Sequence, residues 1–160
     1  MSTLAAIKSK IIDFSEIRNL VSIWKSEGKG IVFTNGCFDV LHYGHASYLS
    51  EAKDLGDKMI IGLNSDSSVR RLKGETRPVN GQLERATLLA ALSFVDAVVI
   101  FEEDTPERLI KTIHPDVLVK GGDYTIETIV GADFVQSYGG IVKTIPLVEN
   151  FSTTKILKRL

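Results

Sequence analysis

Cysteine occurs once in the 160 residues, as Cys37, so an internal disulfide is excluded and the chain suits a reducing compartment. Net charge is scarce too: nineteen Lys and Arg against twenty Asp and Glu leave a formal charge of -1. Such a balance attracts neither nucleic acid nor an anionic membrane as a whole, so any anion must be bound locally. No apolar run approaches the roughly 18 residues of a membrane-spanning helix, and no basic segment followed by a long apolar stretch opens the chain. A cytoplasmic location is therefore expected, with no membrane and no nucleic-acid partner. Neither the Gly-x-Gly-x-x-Gly fingerprint nor a Gly-Lys-Ser/Thr phosphate loop occurs, which disfavours ordinary dehydrogenases and P-loop enzymes. Internal repeats and low-complexity tracts are missing as well.

What is present is an alternation of elements. Apolar residues make up 44% of the chain, enough for one well-buried core and too few residues for two ordinary domains. Short runs rich in Val and Ile, apolar on both faces, predict strands at Ile31 to Thr34, Lys58 to Leu63, Ala97 to Phe101, Val117 to Val119 and Ile141 to Ile145. Between them, helical spacing predicts Gly44 to Leu55, Ser67 to Leu72, Leu83 to Phe94, Thr105 to Ile113, Ala132 to Tyr138 and Thr153 to Leu160. A leading helix over Ser15 to Glu27, capped by Ser15 and stopped by Gly28, carries Ile17, Leu20, Val21, Ile23 and Trp24 on one face. The pattern is that of an α/β fold: a doubly wound sandwich of about five parallel strands, residues 30–160, behind an N-terminal helical extension, residues 1–29. In such sheets ligands bind beyond the carboxyl ends of the strands, where strand order reverses.

The chemistry-bearing residues fall on that edge. Two of the three histidines, His42 and His45, lie within one turn at the predicted start of a helix, with Gly44 between them removing a Cβ. A helix start exposes unpaired N–H groups and partial positive charge, so donors on its first turn converge where an anion is held, as in a nucleotide triphosphate. A zinc site is the competing reading and lacks further His or Cys ligands nearby. Cys37 reads more readily as a small filler beside the turn than as a nucleophile. The segment Arg70 to Pro78 reads as an irregular basic loop. It is either plainly solvated or a closing loop in which Lys73 and Arg77 neutralise phosphate charge. Lys120, Gly121, Gly122 and Asp123 form a strand end and turn with Asp123 placed to accept hydrogen bonds. Ser152, Thr153 and Thr154 serve equally as a helix cap or as phosphate donors.

The segment Gly36-Cys37-Phe38-Asp39-Val40-Leu41-His42-Tyr43-Gly44-His45 together with Ser152-Thr153-Thr154 resembles the cytidylyltransferase-like nucleotidyltransferases and their His-x-Gly-His fold. Within that family the likeness extends to the adenylyltransferases of D-glycero-β-D-manno-heptose 1-phosphate. It is carried by Asn64-Ser65-Asp66, Leu72-Lys73-Gly74-Glu75, Arg77-Pro78-Val79-Asn80, Phe101 to Pro106 and Val119 to Tyr124. Glycerol-3-phosphate cytidylyltransferases are the competing subgroup; they carry Thr at the place of Cys37 and Arg at the place of Leu147.

The resemblance implies transfer of an adenylyl group from ATP to heptose 1-phosphate, with His42, His45, Lys73 and Arg85 as catalytic residues. It implies a nucleotide held by Asn35, Gly36, Cys37, Phe38, Asp39, Gly44, Asn64, Asp66, Lys120, Gly121, Gly122, Asp123, Ser152, Thr153 and Thr154. Arg77 and Tyr124 would meet the sugar phosphate. No protein metal site is implied, Mg²⁺ arriving with ATP, and a homo-oligomer, dimer or higher, is expected. Many relatives fuse this enzyme behind a sugar kinase, so a stand-alone version is the expectation here.

Overall fold

The computed structural model describes residues 1–122, 124–149 and 151–158. Five strands form one sheet, all parallel: β1 (Ile31–Gly36), β2 (Lys58–Asn64), β3 (Ala97–Phe101), β4 (Val117–Gly121) and β5 (Ile141–Ile145), in the order β3-β2-β1-β4-β5. The chain starts at the centre, runs outward to β3, then crosses back to lay β4 beside β1. Strand order therefore reverses between β1 and β4, and a crevice opens beyond Gly36 and Gly121.

Helices cover both faces: α1 (Thr3–Lys8), α2 (Ile17–Ser26), α3 (Tyr43–Lys53), α4 (Asp66–Lys73), α5 (Gln82–Ala91), α6 (Glu107–Ile113), α7 (Ala132–Ser137) and α8 (Thr153–Leu157), with a single 3-10 turn at Ile126–Thr128. Side-chain alternation along the strands makes two cores. Ile31, Phe33, Ile60 and Val99 face Ile17 and Val21 of α2, Leu109 and Ile113 of α6, and Val135 of α7. Val32, Met59, Ile61, Leu63 and Val119 face Tyr48, Leu49 and Ala52 of α3 and Ala86, Leu89 and Ala90 of α5. Each fully buried Ile, Leu or Phe contributes about 1.5–3 kcal/mol, so both faces of the sheet stabilise the molecule.

The predicted strands and helices all occur, with shifted ends. β1, β2 and β4 run one or two residues further than predicted, so Asn35, Gly36, Asn64, Lys120 and Gly121 are strand residues, fixed by the sheet register. α4 runs to Lys73, one residue past the predicted Leu72, so Arg70 to Lys73, also read as the start of the irregular basic segment, form its last turn, with Val69 buried on the same helix. The leading helix begins at Ile17 rather than Ser15: Ser15 turns back to hydrogen-bond Asp13 and leaves the helix uncapped by a side chain. The first 29 residues add α1, which sequence periodicity did not reveal in six residues, and Ile11 bridges the edge of β3 at Val98. The end of the predicted last helix, residues 159–160, lies outside the described residues.

Candidate active site

The crevice at the switch point holds two adjoining cavities of about 190 and 220 Å³. The first is lined by Asn35 and Gly36 at the end of β1 and Cys37 to Asp39 after it, Lys120 and Gly121 at the end of β4, and Tyr48 and Tyr124. The second is lined by His42, Gly44, Phe151 and the run Ser152, Thr153, Thr154. His45, Lys73, Arg77, Leu147 and Thr153 border both, and so mark where they join.

The turn that builds this place is fixed by two local features. Phe38 takes a left-handed backbone with φ 43°, and its ring folds back so closely on Gly36 that a Cβ there would stand 2.9 Å from the Phe38 ring. Only glycine at 36 accepts that fold-back. Phe38 then meets the His45 ring edge-on at 5.1 Å, holding it at the cavity wall. His42 occupies the extended residue just before α3, and His45 sits on the first turn. Their rings stack, and both Nδ1 atoms are buried with no hydrogen-bond partner among the described residues.

Electrostatics follow from burial. Burial depresses the His42 imidazole below its ordinary range; His45 is pushed down to about 4 by burial, by His42 and by Lys73. Both rings are thus neutral at pH 7, with Lys73, Arg77 and Lys120 supplying the cationic charge. Burial also lowers Lys120, which lies 5.6 Å over the Tyr124 ring, and raises the Cys37 thiol, so that thiol stays protonated. Cys37 contributes its carbonyl to structure, as an acceptor from Arg85. Among the described residues no group of three His, Cys, Asp or Glu is placed to hold a metal ion.

Several residues assigned from the sequence lie elsewhere. Arg85 is 1% exposed and does not line either cavity. Its guanidinium donates to the carbonyls of Asn80, Cys37 and Asn64 and to Asp66 Oδ1, at 2.6 to 3.0 Å. A triphosphate contact from Arg85 is therefore not what the structure shows: it ties together the ends of β1 and β2 and the loop before α5. Asn64 and Asp66 belong to the same network beneath the cleft, Asn64 donating to Ser68. Gly122 does not itself line either cavity; its N–H donates to the Ile145 carbonyl, and it packs behind Tyr124 and Leu147, which do. Ser152 caps α8 by accepting from Lys155, while Thr153 and Thr154 line the second cavity beside it. Asp123 lies outside the described residues. Arg71 pairs with Asp104 at 2.7 Å, outside the cleft.

Sequence reasoning missed Tyr48 and Phe151. Tyr48 hydrogen-bonds Thr34 and the Val119 carbonyl at the cavity floor, and burial pushes its phenol up to about 12. Its position one turn beyond Gly44 and His45 on α3 was the available signal. Phe151 meets Tyr43 edge-on at 5.1 Å and closes the far side of the second cavity.

The cytidylyltransferase-like family model matches residues 33–159. A bifunctional protein HldE of Syntrophotalea carbinolica is 56% identical over 152 residues, covering 95% of this chain and 31% of that protein. Its namesake in Mesorhizobium japonicum is 56% identical over 155 residues, 97% of this chain and 31% of that protein. The chain thus spans less than a third of the length of these relatives. A lipopolysaccharide core biosynthesis protein from Thermoplasma volcanium superposes with a TM-score of 0.61 at 28% identity, over 78% of this chain and 100% of that one. A pantoate-beta-alanine ligase from Francisella tularensis, complexed with beta-gamma ATP and beta-alanine, shares the fold at a TM-score of 0.62 and 18% identity, over 94% and 73%. With the family model spanning the sheet, the paired imidazoles and the last helix, the chain belongs to the cytidylyltransferase-like family and is a nucleotidyltransferase.

Proposed function

We propose that this chain transfers the adenylyl group of ATP to D-glycero-β-D-manno-heptose 1-phosphate, giving ADP-heptose and pyrophosphate. The observation that carries the reading is the junction of the two cavities. There His45, Lys73 and Arg77 border both cavities, and His42 stacks on His45 from the wall of the second, around a space large enough for phosphates; both Nδ1 atoms lack a hydrogen-bond partner among the described residues. The identity to proteins named HldE and the likeness to a lipopolysaccharide core biosynthesis protein support the sugar pathway. Leu147, bordering both cavities where cytidylyltransferases of glycerol 3-phosphate carry Arg, favours the adenylyl reaction.

The attacking oxygen of a sugar phosphate is already anionic, so no enzyme base or nucleophile is needed. Catalysis consists of aligning that oxygen with the α-phosphorus and stabilising charge on the α-phosphate and departing pyrophosphate. His42 and His45 donate to phosphate oxygens, the α3 start adds its free N–H groups, and Lys73 and Arg77 neutralise charge at the junction. Thr153 and Thr154 hold the distal phosphates. Among the described residues the cleft offers Mg²⁺ no carboxylate cage, Asp39 being the one acid of these that lines it, so the ion fits as one carried by ATP phosphates and water. A reaction of this kind belongs in the cytoplasm, where ATP is, and its product feeds lipopolysaccharide core or surface glycan assembly. The test offers ATP and CTP, each with heptose 1-phosphate or glycerol 3-phosphate, and follows pyrophosphate release. The reading predicts turnover with ATP and the heptose alone; preference for CTP and glycerol 3-phosphate would replace it.

A further inference from the structure

A carboxylate in a cleft for polyanions demands a reason. Asp39 is the one acid among the described residues lining either cavity, is 2% exposed, and shares the walls with Lys73, Arg77 and Lys120. An unneutralised carboxylate there would repel the substrate. Its oxygens are instead taken up: Oδ2 accepts from Arg77 Nε at 2.5 Å, and Oδ1 from the backbone N–H of Val79 at 2.7 Å and of Asn80 at 3.1 Å. The Asp39 carbonyl accepts from Asn80 Nδ2 at 3.0 Å. The turn after β1 thereby holds a loop some forty residues downstream, between α4 and α5. Burial would raise the carboxyl, and the hydrogen bonds from Asn80, Arg77 and Val79 outweigh it, keeping Asp39 ionised well below neutral pH.

The bond to Arg77 uses Nε only. The two Nη groups have no hydrogen-bond partner among the described residues, and Arg77 borders both cavities. A guanidinium held by Nε is fixed in plane and orientation, so its fork faces one direction before any ligand arrives. We propose that Asp39 is a positioning residue: it does not touch nucleotide or metal, but aims the Arg77 Nη donors at the substrate phosphates where the two cavities meet. The inference rests on the reading of the cleft as a phosphate site, while its test needs no turnover.

The experiment is a double-mutant cycle in the full chain, measured as calorimetric binding of inorganic pyrophosphate, with Asp39→Asn, Arg77→Ala and the pair. Each single variant should weaken binding about tenfold, the size of one charge-assisted hydrogen bond, and the pair should bind no more weakly than Arg77→Ala alone. In ¹⁵N-labelled protein the Arg77 Nε–Hε resonance should lose its hydrogen-bonded shift in Asp39→Asn. Arg77→Lys, which leaves Asp39 in place and keeps the charge, should bind as poorly as Arg77→Ala because an ammonium cannot reproduce the fork.

Wild-type binding by Asp39→Asn or Arg77→Lys, fully multiplicative losses in the pair, or an Asp39→Asn defect cured by raising Mg²⁺ would each overturn the proposal. So would a wild-type chain that does not bind pyrophosphate. A chain that binds pyrophosphate and obeys the cycle, yet releases none from ATP and heptose 1-phosphate, would refute the proposed reaction and leave the role of Asp39 standing.

Discussion

The His42 and His45 rings stack with centroids 3.7 Å apart and planes 24° from parallel. At that separation two imidazolium charges would repel strongly, and burial already disfavours even one, with His45 down to about 4. The free site is thus a neutral pair beside three cations.

Arrival of a polyphosphate reverses that balance, because a nearby anion favours the protonated ring. ATP binding at pH 7 should therefore take up protons from solution. Calorimetry in buffers of different ionisation enthalpy reads this as a slope, positive for the wild type and smaller for His45→Ala. The sign follows from the lowered free-state values: between the free and bound pKa, a falling pH tightens binding. An uptake of zero would contradict the account of the pair.

A second prediction concerns Gly44. A Cβ there would stand 3.0 Å from His42 Cε1 and 3.0 Å from Phe151 Cβ, while the backbone itself is ordinary helix. Gly44→Ala should therefore leave the thermal midpoint unchanged or slightly higher, alanine being the better helix former by up to about 1 kcal/mol. Turnover should fall about 10- to 100-fold, because the His42 ring and the second cavity are displaced. Melting curves and kcat measured together check both halves.

Arg85 yields a third. Replacing it by Met removes four hydrogen bonds and leaves the carbonyls of Asn80, Cys37 and Asn64 short of a donor. The loss should reach at least about 3 kcal/mol of unfolding free energy, given about 1–3 kcal/mol for each buried group left unpaired. Urea denaturation checks it. Unchanged stability with a raised KM for ATP would mean that Arg85 contacts the triphosphate after all.

These contrasts show how far residues speak for themselves. The Val and Ile runs announced five parallel strands because a strand covered on both faces must be apolar throughout. His42, Gly44 and His45 were legible because they sit close in sequence at a helix start, and local chemistry is what sequence displays. Lys73 and Arg77 were legible as cations beside that start. The role of Arg85 was hidden, since nothing local says that a charged residue on α5 turns inward to reach β1 and β2. The surroundings of Asn64 and Asp66 were hidden for the same reason: position at a strand end does not reveal that Asn64 Nδ2 donates to Ser68 or that Arg85 donates to the Asn64 carbonyl and to Asp66 Oδ1. The link from Asp39 to Arg77, Val79 and Asn80 is likewise long-range, and only folded geometry brings it together.

In the proposed reaction the buried imidazole pair stabilises phosphate charge during adenylyl transfer. Pyrophosphate release from ATP and heptose 1-phosphate, catalysed by His45→Ala under saturating substrates, measures that contribution. Removing one such donor should lower turnover by about 10²–10³ while the melting curve still shows a cooperative folded protein. A folded His45→Ala that turns over at the wild-type rate would contradict the claim.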